Sequence, residues 1–216
     1  MLPTKTKFVM IAILVSIVLF TQIAEISPSQ IGSFVIVIDP GHGGADSGAA
    51  GENGVEEKEI TLKIAQLLAF SSYDWPGVKV LLTRRKDVYV NPYDRTGFAN
   101  EKNADLFISI HADSFGDASI EGSSTFVAEQ SGKDSHQLAT SLQQALASRS
   151  GAEDRGVKRA SLFIRQAEMP AALVEVGFLS NPSEARRLNN PSYQRKIARG
   201  LQEGIQNYID KYSKGA

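Results

Sequence analysis

The chain has 216 residues, room for one domain of about 180 residues beside a short leader, and enough to bury a single core without covalent staples. Its 42% hydrophobic and 22% charged content excludes a largely disordered or collagen-like chain, and the lack of cysteine excludes a disulfide framework, a Cys-based zinc finger and an iron–sulfur cluster. A formal net charge of −1, from 23 basic and 24 acidic residues, excludes a strong electrostatic pull toward nucleic acid.

Residues 1–24 begin with Lys5 and Lys7, continue as an apolar run from Phe8 to Phe20 and contain no acidic residue. That order of charge followed by apolar run is the order of a secretory signal. The run is short for a bilayer span of about 20 residues. Thr21–Ala24 could extend it, so residues 1–24 read as a signal peptide or an N-terminal membrane anchor, and the address is outside the cytoplasm. Residues 25–33 read as a linker, rich in Ser, Pro and Gly from Ser27 onward. The domain is expected over 34–212. Phe34–Ile38 is a β-branched run of the kind that forms a strand buried on both faces. A glycine-rich loop follows, then helical periodicity over 56–70, a strand over 78–83, a helix over 92–103 and a strand over 106–110. Residues 120–128 read as a more irregular β segment, 133–149 as a helix, 161–164 as a short strand, 171–176 as a last strand, and 182–189 and 191–212 as helices. Strands alternating with helices predict an α/β fold, a single domain whose mostly parallel mixed sheet is flanked by helices.

Two of the three histidines directly follow or end predicted buried strands: His42 in Asp39-Pro-Gly-His-Gly-Gly44 and His111 in Ser109-Ile-His-Ala-Asp113. In open α/β sheets ligands bind outside the carboxyl ends of the strands, so both imidazoles fall at the functional edge. Two histidines there suggest a metal, and a catalytic zinc site commonly adds one carboxylate and leaves a fourth position for water. The carboxylates on offer are Glu56, Glu57 and Glu59. At about 100° per residue, Glu57 falls closest to the buried stripe Ile60, Ile64, Leu67 and Leu68, so Glu57 is the expected third ligand. The acids could instead simply favour a helix N-terminus, which accounts well for Glu56 and Glu59. His136, on a polar stretch of helix, reads as a solvated surface residue. Glu175 stands one residue from the end of an apolar strand, where an ionised side chain needs a partner or a function. It is the expected general acid/base, against the alternative of a structural ion pair with Arg165.

Taken in order, these segments resemble the catalytic domain of the zinc-dependent N-acetylmuramoyl-L-alanine amidases of the amidase type 3 family. The matching pieces are Ile36–Gly44 with Asp46 and Gly48, Gly54–Glu59, Val80–Arg84, Ala104–Ala112, Asp154–Val157 and Met169–Asn181, and the similarity runs from about residue 34 to 210. The resemblance implies one zinc ion held by His42, Glu57 and His111, and Glu175 as the catalytic glutamate. It also implies the substrate, peptidoglycan, and the bond, the amide between the lactyl group of N-acetylmuramic acid and the L-alanine of the stem peptide. Asp39 and Asp46 are candidates to orient the ligand histidines, or equally to stabilise the turns of the glycine-rich loop, and Arg165 is a candidate to meet a substrate carboxylate, or else a surface arginine. A zinc peptidase cutting within the stem, or an inactive wall-binding domain, would use parts of the same pattern. Asp113 departs from the family, whose members often carry Asn there, and the segment from His111 to the helix near 133 is too short for the inhibitory helical insertion of some Gram-negative relatives. No wall-binding repeat is recognised, nucleic acid is not an expected partner, the membrane is one only through residues 8–24, and an activator protein is not identified.

Overall fold

Six strands, β1 (Phe34–Pro40), β2 (Val78–Leu82), β3 (Leu106–Asp113), β4 (Ser123–Ala128), β5 (Asp154–Ala160) and β6 (Ala171–Phe178), form one sheet in the order β2-β1-β3-β6-β4-β5 in the computed structural model. The model describes residues 34–52 and 54–213, so the expected leader and linker lie outside the described residues. β2, β1, β3 and β6 run parallel, β4 pairs antiparallel with β6, and β5 runs with β4. The apolar runs occupy the middle of this sheet because both of its faces are covered; Ile36, Val37, Ile38, Phe107 and Ile108 are fully buried.

Helices α1 (Glu57–Ser71), α3 (Lys133–Ser150) and α5 (Pro191–Tyr208) cover one face, over Ile36, Ile38, Ile108, Ile110 and Val174. The other face carries α2 (Pro92–Glu101) and a 3₁₀ turn, Phe163–Gln166, over Val37, Phe107 and Leu173. A short helix, α4 (Pro182–Leu188), follows β6. Three of these helices start on an asparagine whose side chain accepts from the first turn, followed by a proline at the first helical position: Asn91 for α2, Asn181 for α4 and Asn190 for α5. α1 has no such cap: its N-cap residue, Glu56, makes no side-chain capping bond and pairs instead with Lys58 Nζ at 3.3 Å.

Two boundaries differ from expectation. The strand lies at Asp154–Ala160 rather than 161–164, and residues 163–166 form the 3₁₀ turn. Asp154–Ala160 is a charged edge strand interrupted by Gly156 at φ 76, so it lacks the apolar signature of its neighbours. The apolar Leu162, Phe163 and Ile164 instead pack onto the α2-side core as a cover. The last helix closes at Tyr208, and Ile209–Ser213 continue as a π turn.

On the α2-side face, the residues facing out of the sheet change character toward the carboxyl ends of the parallel strands. Val37 gives way to Asp39, Phe107 to Ser109 and His111, and Leu173 to Glu175. Because side chains alternate with period 2, one face carries this polar strip while the residues between, Ile38, Ile108, Ile110 and Val174, stay in the opposite core.

Candidate metal centre

His42, Glu57 and His111 each present one potential ligand atom, and these three atoms lie within 4.8 Å of one another. His42 Nε2 is 3.2 Å from Glu57 Oε2, and His111 Nδ1 is 2.9 Å from Glu57 Oε1. Their elements explain the convergence. His42 follows β1, His111 sits near the end of the adjacent β3, and Glu57 opens α1, which packs on β1 and β3 from the other face. Glu57 is 4% exposed, and its two oxygens accept the backbone N–H groups of Ala49 and Ala112 at 2.9 and 3.0 Å, which fixes the carboxylate between the rings. Two imidazole nitrogens and one carboxylate oxygen are the donor set of a catalytic zinc site.

The loop carrying His42 is held by two buried arginines, Arg84 and Arg95, to which the sequence alone assigns no role. Arg95, 3% exposed, donates from Nη1 to Asp39 Oδ1 (2.8 Å) and to the Pro40 carbonyl (2.7 Å), and from Nη2 to the His42 carbonyl (2.9 Å). Arg84, equally buried, donates to the carbonyls of Pro40, Gly41 and Lys58. Lys58 Nζ adds a bond to the Gly44 carbonyl. These contacts stabilise a backbone that places His42 at φ 58, a region sparsely used by residues other than glycine. Two glycines are required by close approach: a Cβ at Gly41 would stand 2.5 Å from the His111 ring, and one at Gly48 would stand 2.5 Å from Glu57 Oε2.

Asp46 Oδ2 is hydrogen-bonded to His42 Nδ1 at 2.9 Å, leaving Nε2 toward Glu57. The expectation for Asp39 needs correcting, since it touches neither ring. Fully buried, it accepts from Thr83, Arg95 and Ser109 and anchors Arg95 beneath the loop, because the alternation that sends Asp39 out of β1 points it at α2 rather than at the ligand atoms. Arg165 is exposed on the 3₁₀ turn and forms no ion pair with Glu175 among the described residues. His136 is exposed on α3. Asp113 Oδ1 accepts from Ser114 N rather than from His111.

Glu175 is the cross-strand neighbour of His111 on one side and of Ser124 on the other. Its Oε2 is sealed from solvent and has no hydrogen-bond partner among the described residues. Burial, with the nearby charges of Glu57 and Asp113, pushes its carboxyl well above the usual carboxylate range. Glu57 is shifted the other way: burial would raise it, but hydrogen bonds from His111 and His42 outweigh that and hold it far below the usual range. For His42, burial acts to lower the imidazole, yet its hydrogen bonds to Glu57 and Asp46 leave it above its ordinary value. The result is a pair of acids driven apart, one held ionised among the ring nitrogens and one favouring its protonated form, an arrangement that suits ligand and proton-transfer roles respectively.

The residues that sequence reasoning missed carried a faint signal. Arg84 directly follows the strand expected over 78–83, and Arg95 shares the buried stripe of α2 with Thr96 and Ala99. A positive charge at helical spacing within a buried stripe marks a buried ion pair.

A family model described as N-acetylmuramoyl-L-alanine amidase matches residues 36–207. The amidase LytC of Bacillus subtilis is 36% identical over 190 residues, covering 87% of this chain and 38% of LytC. The sporulation-specific N-acetylmuramoyl-L-alanine amidase of the same organism is 38% identical, over 79% of this chain and 66% of that protein. Among solved structures, the N-acetylmuramoyl-L-alanine amidase of Clostridium difficile 630 superposes with a TM-score of 0.82 at 32% identity, over 84% of this chain and 99% of that one. This chain spans less than two thirds of the two Bacillus relatives and nearly all of the clostridial structure. With its sheet, its helices and the His42–Glu57–His111 group assembled as described, the chain belongs to the N-acetylmuramoyl-L-alanine amidase family of hydrolases.

Proposed function

We propose that this protein is an exported, zinc-dependent hydrolase of bacterial peptidoglycan that cleaves the amide between the lactyl group of N-acetylmuramic acid and the L-alanine of the stem peptide. The observation that carries this reading is the gathering of two imidazole nitrogens and one carboxylate oxygen within 4.8 Å on the same polar strip as Glu175, whose buried oxygen has no fixed partner. Residues 34–212 are the catalytic domain, and residues 1–24 direct it to the cell envelope, holding it at the membrane if they remain attached.

One zinc ion fits the donor set of His42, Glu57 and His111; when bound it would polarise the scissile carbonyl and acidify a water molecule. Glu57 is held ionised for that role by its hydrogen bonds from His111 and His42, its two backbone donors fix the carboxylate in place, and Asp46 fixes the His42 ring through Nδ1. Glu175, in its ionised form, takes a proton from the attacking water. It then delivers that proton to the alanine nitrogen as the C–N bond breaks, leaving a lactyl carboxylate and a free peptide amine. Its raised affinity for the proton suits both halves of the transfer.

The test is mass analysis of purified peptidoglycan digested with the purified chain. Peptides beginning with a free L-alanine amine, glycan with intact lactyl carboxyls, loss of activity with a chelator and recovery with zinc are expected. Products cut inside the stem peptide, or turnover indifferent to the chelator, would overturn the proposal.

A further inference from the structure

The polar strip does not end at Glu175. β4 continues it with Ser124, the cross-strand partner of Glu175, and opposite residues of an antiparallel pair share a face. On the edge strand β5, Lys158 pairs in register with Phe126, which lies on that same face of β4. Its ammonium reaches back toward the strip: Lys158 Nζ donates to Ser124 Oγ at 3.0 Å and stands 5.5 Å from the centre of the Phe126 ring. Ser124 is itself 1% exposed, so the ammonium rests on a closed floor. Lys158 is half-buried and has no ion pair among the described residues. A half-buried ammonium without an acid is uncommon, since long cationic side chains either extend to water or find a counter-charge.

The order of groups across the sheet gives this cation a direction. From β1 to β5 the strip reads His42, His111, Glu175, Ser124 and Lys158. In the reading proposed above, Glu175 protonates the departing nitrogen, so the departing peptide leaves the metal on the β6 side and the acyl portion lies on the β1 side. Two strand spacings from β6 to β5 amount to roughly 10 Å, about three residues of extended peptide. We propose that Lys158 is a carboxylate-binding residue for the departing peptide, holding a free carboxylate two or three residues beyond the scissile nitrogen. Ser124 and the Phe126 ring position the ammonium beneath that path.

This inference rests on the amidase reading for its direction, and its test separates the two. The probes are muramoyl peptides that differ only in whether the second or the third residue carries a free carboxylate or a carboxamide. Wild type is expected to prefer one free-acid substrate over its carboxamide by about 10- to 100-fold in kcat/KM, expressed in KM, as a charged hydrogen bond gives. Lys158→Met should bring that ratio close to one, and Lys158→Arg should keep most of it, with zinc content equal in all three proteins. Calorimetric binding of the matching free peptides, acid against carboxamide, to wild type and Lys158→Met reads the same contrast without turnover. Discrimination in binding that Lys158→Met abolishes upholds the subsite even if no muramoyl amide is cleaved, an outcome that sinks the amidase reading alone. Normal cleavage with acid and carboxamide treated alike, or a ratio untouched by Lys158→Met, overturns the subsite and leaves the amidase reading standing. An equal loss on both substrates also overturns it, since that is what a purely structural lysine gives.

Discussion

Beneath His42, Asp39 is bonded to Thr83, Arg95 and Ser109, and Arg95 and Arg84 between them hold the carbonyls of Pro40, Gly41 and His42. Two strands away, β6 presents Glu175, whose sealed Oε2 has no hydrogen-bond partner among the described residues. The side proposed to hold the metal is thus dense with fixed polar contacts, whereas the side proposed for proton transfer leaves its central group open. On the proposed reading, the contrast follows from what each side would do. Ligand atoms have to be held to a fraction of an ångström, which charged hydrogen bonds accomplish. A group that gains and loses a proton within one turnover is poorly served by a permanent partner, because that partner would fix one protonation state.

Glu175→Gln breaks this contrast at its centre and carries the largest expected effect. Amide hydrolysis should fall by about 10²–10⁴-fold, the usual share of a general acid/base, with zinc binding retained. Folding should respond in the opposite sense. The folded-state carboxyl binds its proton more tightly than the unfolded one. Between the ordinary carboxylate value and the raised folded value, the native state therefore holds more protons than the unfolded chain, and stability falls as pH rises through that window. Replacing the acid by its neutral isostere should raise the thermal midpoint of the metal-free protein at pH 7 and flatten its dependence on pH. Calorimetric melts at pH 4 and pH 7 check this. A lower midpoint for Glu175→Gln at pH 7 would mean that Glu175 is a structural partner rather than an open acid.

Arg95→Met tests the dense side. The substitution keeps the volume but removes the cation bonded to fully buried Asp39 and the donors to the Pro40 and His42 carbonyls. Losing one partner of a buried pair typically costs about 3–5 kcal/mol, because the remaining charge stays buried and uncompensated. Denaturant unfolding of the metal-free protein measures it. A loss below about 1 kcal/mol would show that Arg84 and Thr83 already satisfy the loop without Arg95.

How much of this was legible in the sequence follows the same division. The strands that build the sheet's middle announce themselves as apolar runs, because burial on both faces leaves no room for polar alternation, as at Phe34–Ile38 and Ala171–Val174. Glu57 could be singled out because helical periodicity sets it over the buried stripe. Arg95 escaped notice for a related reason: its partner Asp39 lies 56 positions earlier in the chain, and no local pattern marks two residues that meet only when α2 folds over β1. β5 was misplaced because an edge strand needs no continuous apolar face, and its charged residues read as loop. Lys158 was passed over with it, since its position on the polar strip exists only through the register of β4 on β6 and of β5 on β4.

Asp46→Ala is the finest probe of the dense side and the smallest of the three effects. Asp46 fixes the His42 ring by accepting at Nδ1, and burial, which would raise its carboxyl, is outweighed by the His42 and Gly48 hydrogen bonds that hold it below the usual range. Removing a carboxylate that orients a ligand histidine commonly weakens metal binding by 10- to 100-fold. Here the Asp46 side chain is 42% exposed, so water can replace part of its contact, and a loss near the lower end, about 10-fold, is expected. Competition with a chromogenic zinc chelator at constant pH reads it directly, and Asp46→Asn, which keeps an acceptor near Nδ1, should recover part of the loss. An affinity unchanged in Asp46→Ala would transfer the orientation of His42 from its ring partner to its backbone. Arg95 on the His42 carbonyl would then be the contact that places the imidazole, and the metal affinity of Arg95→Met should fall in step with its stability.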